Sequence, residues 1–150
     1  MAKKVTQLDE AAVLTGSELL PVVQGGTSKK ASSEAIAKLA KNLRNTVAPL
    51  VNTAGTVPVN HDLSDFFTLA LAANVTAISF ANMPGAGKGW TCYILITQGS
   101  PARTVAWPSS FKWVGAAPVV STTNGAKDML ILTTFDNGTT FQARLDKAYA

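Results

Sequence analysis

Few places in this chain of 150 residues could support bond-making chemistry. His61-Asp62 with Asp65 is the one point where a histidine meets carboxylates. A nucleophilic triad there would also need a poised serine, and no Gly-x-Ser-x-Gly elbow occurs. One histidine with two aspartates could hold a metal, yet a lone histidine before a strand is mostly structural or exposed, and no third convergent group is at hand. Acid–base hydrolysis needs a carboxylate pair. The second half offers Asp62, Asp65, Asp128, Asp136 and Asp146, of which Asp136 is a turn residue and Asp62 abuts a strand start. Pro84-Gly85-Ala86-Gly87-Lys88-Gly89 invites a phosphate-loop reading. A phosphate loop, however, needs four residues before Gly-Lys, then Ser or Thr, and must open a helix. The spacing here is wrong and a strand follows, so a turn with an exposed lysine is expected. Cys92 stands alone, which rules out an intrachain disulfide and a cysteine zinc cluster. No catalytic residue, metal or cofactor is expected.

The aromatic residues are the stronger candidates for binding. Trp107, Lys112 and Trp113, with Phe111, Tyr93, Trp90, Arg103 and Asn124 near them, could form a platform for sugar rings, which present apolar faces and hydroxyls. The competing reading makes the tryptophans core or subunit interface, because large aromatics supply much of a small sandwich's buried area. Alternation puts Trp107 and Trp113 where core residues would sit. Asn74-Val75-Thr76 and Asn137-Gly138-Thr139 match the glycosylation pattern, which matters only in a secreted protein.

Composition narrows the partners. The chain is 47% hydrophobic and 15% charged, against roughly 25% charged in ordinary globular chains. Such a shortage of solvating charge points to burial against other subunits. The net charge of +4 is uneven: residues 1–44 hold seven Lys/Arg against four acids, residues 45–150 six against five. The basic part has its lysines diluted by acids and no aromatic to stack on bases, so nucleic-acid binding is not expected. No long apolar leader precedes the first domain. The most apolar run, Phe66 to Phe80, is broken by polar residues and shorter than the roughly 20 residues of a membrane helix. The expectation is a protein made in a reducing cytoplasm, without membrane insertion.

Three zones must position these residues. Residues 1–45 read as an N-terminal arm and helix. The arm has turn chemistry at Thr15-Gly16-Ser17 and Gln24-Gly25-Gly26, and the helix spans 33–44, capped by Ser32 or Ser33. Ile36, Leu39, Ala40 and Leu43 make its narrow apolar stripe. Residues 46–61, with Pro49, Gly55 and Pro58, read as an extended connector or edge strand. From residue 62 to 150 the period becomes two. Phe66 to Phe80 suggests a hairpin about Ala73-Asn74. Trp90, Cys92, Ile94 and Ile96 share one face of a strand, and Val105 to Trp107 forms a short one. Asn124-Gly125 and Asp136-Asn137-Gly138 are hairpin turns by composition. Roughly eight short strands without helices between them predict a mainly β fold. It would be an antiparallel β-sandwich or small barrel, jelly-roll-like, with an extended arm and one short helix. Met129-Leu130-Ile131-Leu132 is apolar on both faces, as where a neighbouring subunit supplies a second cover.

The run Leu14-Thr15-Gly16-Ser17-Glu18-Leu19-Leu20-Pro21-Val22-Val23-Gln24-Gly25-Gly26, followed by Lys29-Lys30 and the helix, resembles the N-terminal phrase of tailed-bacteriophage virion proteins, tail fibres above all. The second half is similar, more loosely, to small β domains near fibre C-termini, through Phe67-Thr68-Leu69, Asn74-Val75-Thr76, Arg103 to Pro108, Lys112-Trp113 and Gly125 to Asp128. The resemblance implies a non-enzymatic homotrimer located in the virion. Leu14, Leu19, Leu20, Pro21, Val22, Val23 and Gln24 would dock onto another virion protein of the tail or capsid, and the β domain would face outward. No long shaft separates the two ends, so a capsid decoration or cement protein is an alternative position. A carbohydrate-binding module recognising a host surface glycan is an alternative role.

Overall fold

The structure is a computed structural model, and it describes residues 19–24, 26–36 and 45–149. The chain divides into two compact units, residues 1–42 and 43–150. In the first, strands β1 (Leu19–Gln24) and β2 (Thr27–Ser32) pair antiparallel, Gln24 opposite Thr27. In the turn between them Gly26 has a φ of 74° that side chains rarely adopt. The expected extended arm is therefore a hairpin over these residues. A helical turn at 33–36 follows, and the Ala35 N–H donates to Ser32 Oγ at 3.1 Å, which identifies Ser32 as the cap. The remainder of the predicted helix and its apolar stripe beyond Ile36 lies outside the described residues, as does Leu14.

The second unit is built of eight strands: β3 (Val47–Leu50), β4 (Thr56–Asn60), β5 (Phe66–Ala70), β6 (Ala77–Ala81), β7 (Trp90–Thr97), β8 (Phe111–Trp113), β9 (Lys127–Thr134) and β10 (Phe141–Tyr149). Six form one sheet in the order β3-β5-β7-β9-β10-β8, and β4-β6 form a second. The mainly β expectation stands. Pairing, however, is mixed: β7-β9-β10 is antiparallel, whereas β3-β5, β5-β7, β4-β6 and β8-β10 are parallel.

The parallel half explains where simple reading fails. Parallel neighbours cannot be joined by a tight turn and need a crossover. Here the crossovers are themselves strands. The chain runs from β3 to β4 in the other sheet, back to β5, across again to β6, and back to β7. The predicted hairpin about Ala73-Asn74 is therefore a link between sheets, so β5 and β6 are not partners. Leu71 and Val75, which bracket that bend, are 1% exposed and carry the chain through the core. Asn52 holds the bend from below, its side-chain amide donating to the carbonyls of Ala73 and Asn74. Of the two readings for residues 46–61, edge strand holds for β3, which takes one edge of the large sheet, and Leu50, Val57 and Val59 are core residues of the body.

Alternation decides which side chains go inside. On β7, Trp90, Cys92, Ile94 and Ile96 are buried as predicted, opposite Leu130 and Leu132 of β9 and beside Phe67 and Leu69 of β5. Val57, Val59, Ile78 and Phe80 of the small sheet cover that inner face. Each such burial contributes about 1.5–3 kcal/mol. The rest of the cover comes from the long excursion between β7 and β9. Gln98, 4% exposed, organises it: its amide donates to the carbonyls of Arg103 and Ser121, and its oxygen accepts from the N–H groups of Gly99 and Arg103. Within the excursion, Val105 makes only a bridge to Val75, and Asn124-Gly125 is a turn packed on Gln98 instead of a hairpin tip. Asp136-Asn137-Gly138 does join antiparallel β9 and β10. Asn137 and Gly138 both have positive φ, and Thr134 Oγ1 accepts the Gly138 N–H.

Candidate functional site

The aromatic residues gather where β8 meets β10. Phe111 and Trp113 lie opposite Phe141 and Ala143, so parity sends both rings inward and Lys112 outward. Phe111 and Phe141 are buried, and Phe80 of the small sheet stacks on Phe141 at 4.2 Å between ring centres. Trp107 reaches this cluster from the excursion, 5.3 Å from Trp113 and 6.3 Å from Phe111. Its indole N–H donates to the Pro118 carbonyl at 2.6 Å, which satisfies its polar atom inside the cluster. Trp107 and Trp113 are both half-buried. The fold thus brings the two tryptophans together and puts Lys112 on the opposite side, where its ammonium donates to the Ser109 carbonyl at 2.9 Å.

Beside Trp113 an open groove of about 270 Å³ is lined by Val114, Ala116, Pro118, Ala143, Arg144 and Leu145. It exists because β8 stops at Trp113 while β10 runs on to Tyr149. Arg144 is the cation at its rim, paired with Asp146 at 2.7 Å, and that carboxylate holds the guanidinium above its ordinary pKa. Arg103 lies elsewhere, its backbone N–H and carbonyl bonded to the Gln98 side chain, and Asn124 is in an exposed turn. Tyr93 and Trp90 occupy opposite faces of β7.

His61 and Asp65 converge on Trp90, while Asp62 points to solvent beside His61. The Trp90 indole donates to Asp65 Oδ1, and the His61 ring meets the Trp90 ring edge-on at 5.1 Å. His61 Nδ1 lies 3.6 Å from Asp62 Oδ1. These contacts fasten the end of β4 and the start of β5 to the start of β7. Behind them Cys92 is wholly buried; burial, and then the Asp65 charge, push its thiol up to about 12, so it stays protonated. Among the described residues, no three His, Cys, Asp or Glu side chains could share a metal ion.

Asp128 and Asp136 are occupied in the scaffold. Asp128, 2% exposed, accepts from the Ser121 N–H and hydroxyl and from the Ala148 N–H. Burial alone would raise its pKa, but these donors, with Lys147 nearby, hold it below the usual carboxylate value. Asp136 ties the β9–β10 turn through both carboxylate oxygens to Thr140. The loop at Gly85–Lys88 is a turn closed by the Lys88 N–H on the Gly85 carbonyl, and β7 follows it.

The residues expected to dock, other than Leu14, form one strand. Leu20, Val22, Val23 and Gln24 pair with Ala31, Lys29, Ser28 and Thr27, and Leu19 and Pro21 are exposed on the hairpin. Sequence reasoning missed the Gln98 hub, whose polar side chain gives no periodic signal. The two-faced apolar character of Met129 to Leu132 was legible, and the structure joins its outward residues Met129 and Ile131 to Tyr93 and Leu95 of β7. Among the described residues no helix is long and apolar enough to cross a membrane. Comparison with protein-family models, with curated proteins and with solved structures found no match.

Proposed function

We propose that this chain is a non-enzymatic structural protein of a bacteriophage particle, tail fibre-like, which docks through its N-terminal hairpin and presents a self-associating β body. The observation that carries the reading is the hairpin itself. The segment resembling the virion phrase forms a sheet of two strands, and such a pair is marginal in water without a third strand or a packed face. Leu19, at 61% exposure, offers apolar surface to a partner. An added strand from another virion protein would supply both backbone partners and cover. The occupied carboxylates and the protonated Cys92 agree with a structural role.

Deleting residues 1–30 tests the anchor. The truncated protein folds and associates with itself but is missing from purified particles, as read on a protein gel. Normal incorporation of the truncated protein would remove the docking assignment.

A further inference from the structure

We propose that the outer face of the six-stranded sheet packs against the same face of a second copy of this chain, forming a two-fold pair. The inference rests on the reading of the body as self-associating, and names the surface and the number of copies. Along β3, β5 and β7 the outward residues are Val47 and Pro49, then Phe66, Thr68 and Ala70, then Thr91, Tyr93, Leu95 and Thr97, without a single charge. Phe66 and Tyr93 stack at 5.3 Å with their planes 10° apart, yet keep 39% and 36% of their surface exposed. Val47 beside them is 59% exposed. With Leu95 and Met129 these residues line a shallow apolar groove of about 140 Å³.

Three properties favour a second copy as the occupant. The first is area. All six strands, at about 4.8 Å spacing and about 3.3 Å per residue, make a face of roughly 600 Å², of the order of the approximately 800 Å² per partner of a stable interface, and the apolar strands β3, β5, β7 and β9 supply about 400 Å² of it. The second is charge. A surface meeting itself brings like charges together unless it is neutral, and here the charges keep to one side: Lys127 begins β9, and Lys112, Arg144 and Asp146 lie on β8 and β10, leaving β3, β5 and β7 neutral. An apolar patch bordered by charged residues suits a subunit contact. The polar groups in the middle also satisfy each other, as Thr91 and Thr133 do across β7 and β9 at 3.0 Å. The third is that the edge is closed to pairing while the face is open. β3 carries Pro49, which has no N–H to offer a neighbouring strand, and β8 is three residues long. Copies therefore meet by stacking sheets, about 10 Å apart.

The test is the solution mass of the full chain at tens of micromolar, by light scattering or sedimentation. Wild type should have twice the 15.6 kDa of one copy. Tyr93→Lys and Val47→Lys should each halve that mass, with circular dichroism unchanged. Val47 is mostly exposed, so its variant carries the test should Tyr93→Lys fail to fold. Phe135→Ser, in the β9–β10 turn and 75% exposed, should remain paired. A single-copy or three-copy wild type, a pair that both lysine variants leave intact, or dissociation by Phe135→Ser would each overturn the assignment. Particle incorporation reads the hairpin separately. A single-copy body that still enters particles would end the pairing and keep the virion role, and a pair that never enters them would do the reverse.

Discussion

Removing the Asp128 carboxylate should cost the β body a large share of its stability, and the loss should depend on pH in a defined direction. The side chain receives three donors, the Ser121 N–H at 2.6 Å, the Ser121 hydroxyl at 2.7 Å and the Ala148 N–H at 2.9 Å. In Asp128→Ala the hydroxyl can turn elsewhere, but the two amides lose their acceptor. An unsatisfied buried donor costs about 1–3 kcal/mol, so roughly 2–5 kcal/mol is expected, against a total of about 5–15 kcal/mol for a domain. Asp128→Asn keeps the shape and one acceptor oxygen and should lose less. Because the folded carboxyl titrates below its ordinary value, the stabilisation by its charge is complete above the unfolded pKa of about 3.9. It disappears as pH falls through the folded value. Urea unfolding of wild type and Asp128→Asn should therefore show a constant gap from neutral pH to about pH 5, closing below about pH 4. A loss under about 1 kcal/mol for Asp128→Ala at pH 7 would refute the hydrogen-bond argument, and a gap that persists into strong acid would refute the charge argument.

Two further outcomes follow from the same packing. Gly99→Ala would place a Cβ 2.2 Å from the Leu71 carbonyl oxygen, on backbone already pinned to Thr97 by the Leu71 N–H; forced separation there should lower stability by about 1–3 kcal/mol or more, read as a fall in Tm. Cys92, buried and with its thiol up to about 12, should resist a thiol reagent at pH 8 until the protein is unfolded, and rapid labelling of the native protein would contradict its position in the core.

How much of this was legible in the residues depended on range. The inward set of β7, the Asp136-Asn137-Gly138 turn, the turn at Gly26 and the Ser32 cap all rest on rules that act within a few residues: side-chain parity, positive φ, an orphan helix amide. The candidate site was legible in part. Parity placed Trp113 inward, but also put Lys112 on the other side of β8, so the platform of Trp107, Lys112 and Trp113 was never a single surface.

What the sequence determined by itself was a β chain with known inside and outside positions along most strands, because period-two burial is a local property of the backbone. What only the tertiary structure decided was the partners. The run from Phe66 to Phe80 alternates equally well as a hairpin or as a crossing between sheets; the choice fell to the crossing, where β5 lies parallel to β3 and β7 and Leu71 and Val75 are buried on the way. Such pairings join residues far apart in sequence, and their energy comes from packing that no neighbouring residue encodes. For the same reason alternation could mark Tyr93, Leu95 and Ile131 as one face, while only the assembled sheet revealed that Phe66, Tyr93 and Val47 stay exposed together on it.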